Sequence, residues 1–123
     1  MLDHVSIQCA DVAVSSQFYD AVLGALGGGR VLDFGSVIGY GTAGRASFWL
    51  SPLAGGAPNR ELHIAFGAED RATVRRWFDA AVGIGAEVLH QPRLWPEYDA
   101  DYYGAFVRDP DGNNVEAVCR RPE

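Results

Sequence analysis

The chain has 123 residues, of which 48% are hydrophobic and 21% are charged, and its formal net charge is −6. This composition is typical of one globular domain with a buried core. It argues against a disordered chain and against a nucleic-acid partner, which usually meets a basic surface. The sequence has neither an apolar run of about 18 residues nor a leader-like N-terminus, so we expect a cytoplasmic protein that does not bind membranes.

Residues 1–50 predict a first module with the order β-α-β-β-β. Leu2–Cys9 alternates between polar and apolar residues, as a half-buried strand does. Asp11 can cap a helix that ends at Gly24. The predicted apolar stripe of this helix consists of Val14, Phe18, Ala21 and Val22. Three short β-like runs follow, at Arg30–Phe34, Ser36–Tyr40 and Ala46–Leu50.

Residues 61–121 predict a second module of the same order, after a linker at 51–60 that is rich in proline and glycine. A strand at 62–67 leads to a helix that is capped near Asp70 and ended by Gly83 and Gly85. The predicted stripe of this helix is Val74, Trp77, Phe78 and Ala81. The remaining predicted elements are strand Glu87–His90, irregular loop Gln91–Asp101, strand Tyr102–Arg108, turn Asp109–Gly112 and strand Asn114–Arg120. The irregular loop is either a lid over a site or a surface connector.

The two modules are copies of one another. A shift of 59 positions places His4 on His63 and Val5 on Ile64. The same shift matches Asp11 with Asp70, Phe18 with Trp77, Asp20 with Asp79, Ala21 with Ala80 and Gly24 with Gly83. Self-similarity at a fixed period indicates duplicated structural units. We therefore predict an α+β fold, a single domain over residues 1–123. Its two tandem β-α-β-β-β modules are related by a pseudo-twofold, and their mixed sheets enclose a cleft.

The repeat also predicts a metal site. His4 and His63 occupy equivalent places on the polar faces of their strands, and Glu116 lies between apolar neighbours on the last strand. A charge among apolar residues is costly to bury unless it is paired or bound to a metal. Two neutral imidazoles and one carboxylate match the ligand set of iron(II), and equally that of zinc, manganese, nickel or cobalt sites with open positions. We predict one divalent metal ion here; the alternative is a pocket in which these side chains only hydrogen-bond one another.

Three motifs resemble those of the vicinal oxygen chelate superfamily, which includes glyoxalase I, extradiol dioxygenases and bleomycin-binding proteins. They are Leu2-Asp3-His4-Val5, its echo Leu62-His63-Ile64, and the terminal stretch Phe106–Glu116. The resemblance implies the same three metal ligands, His4, His63 and Glu116. It also implies a small-molecule substrate and a homodimer, in which each site is formed within one chain or across two.

The chain departs from glyoxalase I at a fourth ligand, a carboxylate on the last strand of the first module. Aligning the final turns of the two modules puts Phe48 opposite Glu116, with Trp49 as the alternative, and neither side chain binds a metal. We expect Phe48 and Trp49 to form an apolar, substrate-binding wall. One of the adjacent residues Tyr102 and Tyr103 should also face the cleft, and Tyr103 is the predicted substrate contact.

The resemblance implies a metal-dependent, glyoxalase-like lyase or isomerase acting on a small, oxygen-chelating substrate, and it leaves the catalytic base open. One alternative is an extradiol-type ring-cleaving dioxygenase, for which His90 is the only histidine left for acid–base chemistry. A second alternative is a metal-free antibiotic-binding resistance protein, which the net charge of −6 and the aromatic content permit.

Overall fold

The computed structural model describes residues 1–58 and 60–123. Asn59, which falls in the predicted linker 51–60, lies outside the described residues. The chain forms two compact units, Met1–Arg60 and Glu61–Glu123. Their elements are β1 (Val5–Cys9), α1 (Val12–Ala25), β2 (Gly29–Asp33), β3 (Ile38–Thr42), β4 (Arg45–Pro52), β5 (His63–Gly67), α2 (Arg71–Gly83), β6 (Val88–Leu94), β7 (Tyr103–Arg108) and β8 (Asn114–Cys119). The predicted α+β fold of two tandem β-α-β-β-β modules is confirmed.

The first unit is a four-stranded mixed sheet with the strand order β1-β4-β3-β2. β1 runs parallel to β4, and the other two pairs are antiparallel. α1 begins after Asp11, whose carboxylate accepts hydrogen bonds from the N–H groups of Ala13 and Val14. The helix packs against the sheet through Tyr19, whose ring centroid lies 4.8 Å from that of Phe48.

The predicted apolar stripe of α1 is wrong at its first position, because Val14 is 48% exposed. The buried face begins instead at Val12 and includes Ser16 and Tyr19. Ser16 can be buried because its hydroxyl donates a hydrogen bond to the carbonyl oxygen of Ala13 at 3.0 Å. A hydropathy pattern assigns such a serine to solvent, and this shifts the predicted stripe.

The second unit repeats the plan, with the strand order β5-β8-β7-β6 and a parallel β5–β8 pair. Asp70 caps α2 by accepting a hydrogen bond from the N–H of Thr73 at 2.7 Å. Val74 and Trp77 are fully buried on the face of the helix that packs against β7 and β8. In residues 1–58 and 60–123, no helix is both long and apolar enough to cross a membrane.

The end of α1 differs by one residue from the prediction. The helix continues through Gly24 to Ala25. The reversal comes at Gly27, which has a φ of +83°, a conformation that glycine adopts without steric cost.

β6 is longer than predicted, because it continues past His90 to Leu94. The pairing with β7 shifts between His90 and Arg93. Such an irregularity accommodates Pro92, which has no N–H to donate to a ladder. The irregular loop between β6 and β7 is correspondingly shorter than the predicted Gln91–Asp101.

The turn between β7 and β8 also anchors the start of β5. Asp109 Oδ1 accepts the N–H of Asn113 at 2.9 Å, and Asn113 Oδ1 accepts the N–H of Leu62 at 3.0 Å. Gly112 has a φ of +87°, which fits the role predicted for it in this turn. Because Leu62 immediately precedes His63, these bonds fix where β5 begins beside β8.

Candidate functional site

Two of the predicted metal ligands meet on the parallel β5–β8 pair. His63 lies opposite Asn114 and Ala65 opposite Glu116 in the register of this pair. His63 Nε2 lies 3.0 Å from Glu116 Oε1. The side chain of Glu116 is 1% exposed, whereas that of His63 is 51% exposed. The pair therefore joins a buried carboxylate to an imidazole that opens to solvent.

Both ring nitrogens of His63 face oxygens that only accept hydrogen bonds. Nδ1 lies 3.2 Å from the carbonyl oxygen of Asn114, and Nε2 lies 3.0 Å from Glu116 Oε1. A neutral imidazole carries one hydrogen and donates to only one of them, so the other nitrogen faces an acceptor oxygen with its own lone pair. The contact becomes attractive when a proton or a metal cation lies between the two atoms. The arrangement therefore favours the binding of a positive charge between His63 and Glu116.

The other oxygen of Glu116 is held by Tyr102. The buried tyrosine hydroxyl donates a hydrogen bond to Glu116 Oε2. Burial, and secondly this hydrogen bond, raise the pKa of Tyr102 above its ordinary value, so the hydroxyl keeps its proton. Gly104 leaves the necessary space, because a Cβ there would lie 3.1 Å from Glu116 Oε2 and 3.3 Å from the Tyr102 ring.

An open concavity of about 460 Å³ adjoins the His63–Glu116 pair. The imidazole of His63 stacks on Phe106, with 6.0 Å between the ring centroids and 21° between the planes. The guanidinium of Arg120 lies over the ring of Tyr102, 4.7 Å from its centroid. The lining residues are His63, Glu97, Tyr98, Tyr102, Phe106, Glu116 and Arg120. The concavity thus combines a flat aromatic lining with ionic groups of both signs.

Tyr102 rather than Tyr103 contacts the carboxylate. Tyr103 points to α2, where its ring centroid lies 5.4 Å from the guanidinium of Arg71. The signal that distinguishes the two tyrosines is strand parity. Phe106 pairs with Glu116 across β7 and β8, so residues an even number of positions from Phe106 share its face. The substrate-binding role of Tyr103 stays a prediction.

The chain matches the family model of the Glyoxalase/Bleomycin resistance protein/Dioxygenase superfamily over residues 1–117. It belongs to this superfamily. No curated protein matches the chain.

Solved structures of the superfamily share the fold. A glyoxalase/bleomycin resistance protein from Albidiferax ferrireducens T118 is 29% identical, with a TM-score of 0.85 and coverage of 98% of this chain and 99% of that one. Lactoylglutathione lyase from Agrobacterium tumefaciens is 21% identical, with a TM-score of 0.70 and coverage of 97% and 92%. A glyoxalase-related enzyme from Fulvimarina pelagi is 18% identical, with a TM-score of 0.75 and coverage of 97% and 87%.

In the first unit of this superfamily member, the position equivalent to Glu116 is occupied by Trp49. The repeat places Ser6 on Ala65, and Ser6 pairs with Trp49 as Ala65 pairs with Glu116. Phe48 is 4% exposed and packs in the core against α1. The alignment that puts Phe48 opposite Glu116 is therefore corrected by one residue, and Trp49, the alternative, takes that place. The proposed contacts of Phe48 and Trp49 with substrate stay predictions.

His4 lies in the first unit, one residue before β1. Its Nδ1 is 2.8 Å from Asp3 Oδ1, and its side chain is 56% exposed. Within the described residues, no three side chains of His, Cys, Asp or Glu are grouped so that they could hold a metal ion on their own. The structure therefore brings together His63 and Glu116, and the role of His4 as a third ligand stays a prediction.

The His63–Glu116 pair fits a divalent metal ion. Nitrogen and oxygen ligands bind zinc at about 2.0–2.2 Å, so two ligands of one ion lie about 2.8–3.1 Å apart at a right angle and about 3.3–3.6 Å apart at the tetrahedral angle. Nε2 and Oε1 lie 3.0 Å apart, so they suit the first geometry as they stand and the second after a small opening. The second polar atom of each ligand also has a partner: His63 Nδ1 lies against the Asn114 carbonyl, and Glu116 Oε2 accepts the Tyr102 hydroxyl. Metal ligands in proteins generally have such second partners. The amide oxygen of Asn114 is also buried and has no hydrogen-bond partner among the described residues.

His90 lies beside this site, and within the described residues it makes no contact with Glu116. Its ring is edge-on to Phe106, with centroids 5.6 Å apart, and edge-on to Trp95 at 4.9 Å. His90 thus packs on the aromatic residues beneath the concavity. Its acid–base role stays a prediction.

Proposed function

We propose that this protein is a divalent-metal-dependent, glyoxalase-like lyase or isomerase that acts on a small substrate with two neighbouring oxygens. The observation that carries the proposal is the 3.0 Å contact between His63 Nε2 and Glu116 Oε1. The other polar atoms of these side chains, His63 Nδ1 and Glu116 Oε2, lie against the Asn114 carbonyl and the Tyr102 hydroxyl. His4 is the proposed third ligand, contributed by the same chain or by the second copy of a homodimer.

A bound divalent cation would polarise the substrate oxygens and stabilise the negative charge that forms on them. The residues of the chain orient the two ligands and line the concavity beside them. The carbonyl of Asn114 contacts Nδ1 and so orients the imidazole of His63 with Nε2 facing Glu116 Oε1. The stacked ring of Phe106 supports the imidazole plane, and Arg120 offers a cation for a polar group of the substrate.

A metal-free antibiotic-binding protein is the second candidate. It is favoured by the lining of the concavity, in which the rings of Tyr98, Tyr102 and Phe106 accompany the carboxylates of Glu97 and Glu116. Aromatic faces and carboxylates together suit a flat, cationic ligand. In this case His63 and Glu116 hydrogen-bond each other and hold no metal ion.

Metal analysis of tag-free protein separates the two candidates. The enzyme proposal predicts bound metal and a higher melting temperature on adding zinc, nickel, manganese, cobalt or iron(II) to metal-free protein. His63→Gln should abolish the thermal shift, whereas His90→Gln, a neighbouring histidine without a carboxylate contact, should retain it. Protein without metal and without any thermal shift would favour the antibiotic-binding candidate. A weaker shift in His4→Gln would support the third ligand.

A second assay separates a lyase or isomerase from a ring-cleaving dioxygenase. The protein is loaded anaerobically with iron(II), and a catechol and oxygen are then added. Ring-cleavage product with matching oxygen uptake would replace our proposal with the dioxygenase. Metal-dependent turnover of a 2-oxoaldehyde–thiol adduct, without oxygen uptake, would support the lyase proposal.

A further inference from the structure

The hydroxyl of Tyr102 occupies one of the two oxygens that Glu116 could offer to a metal ion. It donates to Oε2, whereas Oε1 is the oxygen next to His63 Nε2. Both Tyr102 and Glu116 are buried, at 8% and 1% exposure, so water cannot easily replace the tyrosine. Because Oε2 is engaged inside the protein, only Oε1 is turned toward the imidazole.

The ring of Tyr102 packs against the side chains of Arg120 and Tyr98. Arg120 lies over it at 4.7 Å, and Tyr98 meets it edge-on with centroids 5.1 Å apart. Trp95 donates its indole N–H to the carbonyl oxygen of Gly104 at 3.0 Å. This bond fixes the backbone at the residue whose missing Cβ makes room for Glu116 Oε2. The position of the hydroxyl is therefore determined by packing and does not depend on the carboxylate alone.

We propose that Tyr102 is a positioning residue that restricts Glu116 to one-oxygen coordination of the metal ion. The inference rests on the proposed function, since it concerns the same metal site. A carboxylate that binds through two oxygens fills two coordination positions, whereas one that binds through a single oxygen leaves a position open. Open positions are required where a metal ion binds substrate. Tyr102 thus keeps room for the second of two neighbouring substrate oxygens.

The adjacent tyrosine supplies a matched control. Tyr102→Phe removes the hydroxyl from Glu116, and Tyr103→Phe removes a hydroxyl of the same kind from the opposite face of β7, where it contacts Arg75. Each purified protein is titrated with Co²⁺ while its visible absorption is recorded, because these bands report coordination number and geometry. Circular dichroism spectra and melting temperatures confirm that both variants are folded.

We expect Tyr102→Phe to bind Co²⁺ about tenfold more weakly and to show weaker, shifted bands that indicate a higher coordination number. Tyr103→Phe should match the wild type in both respects. Gly104→Ala, whose Cβ would lie 3.1 Å from Glu116 Oε2 and 3.3 Å from the Tyr102 ring, should alter the same bands. If the wild type binds Co²⁺ and Tyr102→Phe has the wild-type spectrum, the inference is wrong while the metal proposal stands. If the wild type binds no metal, both are wrong.

Discussion

Replacing Glu116 by glutamine should stabilise the metal-free protein and remove most of the stabilisation that a metal ion gives. The glutamine amide can donate to His63 Nε2 and its oxygen can accept from Tyr102, so both contacts of the carboxylate are preserved without its charge. The buried ion then no longer has to be desolvated, a cost of several kcal/mol, while the charged hydrogen bond with Tyr102 becomes a neutral one, a loss of about 1 kcal/mol. We expect Glu116→Gln to stabilise the metal-free protein by about 1 kcal/mol or more.

A gain of that size raises the melting temperature of a domain of this length by roughly 3–5 °C. The assay is thermal unfolding at pH 8, where imidazoles are mostly neutral, with and without zinc. At a zinc concentration 100 times the dissociation constant, the wild type should gain about 2.7 kcal/mol and become the more stable protein. Glu116→Gln should gain little. A variant that is less stable than the wild type without zinc would mean that the buried carboxylate does not destabilise the metal-free protein. A variant that gains as much from zinc as the wild type would mean that Glu116 is not a metal ligand.

Three further predictions concern the fold that holds the site. Asp20→Asn should destabilise the protein at about pH 6, and the effect should shrink as the pH is lowered below about 3.9. The hydrogen bond from Arg30 lowers the pKa of Asp20, so its stabilisation is present above the unfolded pKa of about 3.9 and is lost as the pH falls through the lower folded pKa. Asn113→Ala should cost about 2 kcal/mol in urea unfolding, because it removes the acceptor of the Leu62 N–H. Trp77→Ala should cost about 3–5 kcal/mol. Trp77→Phe should cost distinctly less, because the indole N–H is buried without a partner among the described residues.

Each of these has an outcome that contradicts it. An Asp20→Asn effect that does not shrink at all as the pH is lowered below about 3.9 would mean that ionisation is not its cause. A neutral Asn113→Ala would mean that the turn does not anchor β5. A Trp77→Phe variant as unstable as Trp77→Ala would mean that the indole N–H is satisfied in the folded protein.

The repeat and the alternation of residues were sufficient to predict the element order and both helix caps. They also predicted that His4, His63 and Glu116 converge on one metal ion. The structure brings His63 and Glu116 together, and the part of His4 stays a prediction. The sequence alone does not show that Tyr102, and not Tyr103, contacts Glu116. That distinction requires the pairing register of β7 and β8, and a local sequence pattern does not contain this register.

The prediction that Phe48 is the equivalent of Glu116 in the first module is wrong for a related reason. The β3–β4 pairing shifts between Tyr40 and Gly41, whereas the β7–β8 pairing is continuous. Aligning the two turns therefore misplaces the equivalent of Glu116 by one residue. An irregularity of this kind changes which side chain reaches a given face, and it leaves little trace in the hydrophobic pattern.

Anomalous diffraction from crystals soaked with zinc or cobalt would show whether His63 and Glu116 hold a divalent cation. We expect an ion about 2.0–2.2 Å from both His63 Nε2 and one oxygen of Glu116, with Tyr102 still bonded to the other oxygen. An ion bound elsewhere, while the two side chains stay in direct contact, would contradict this expectation.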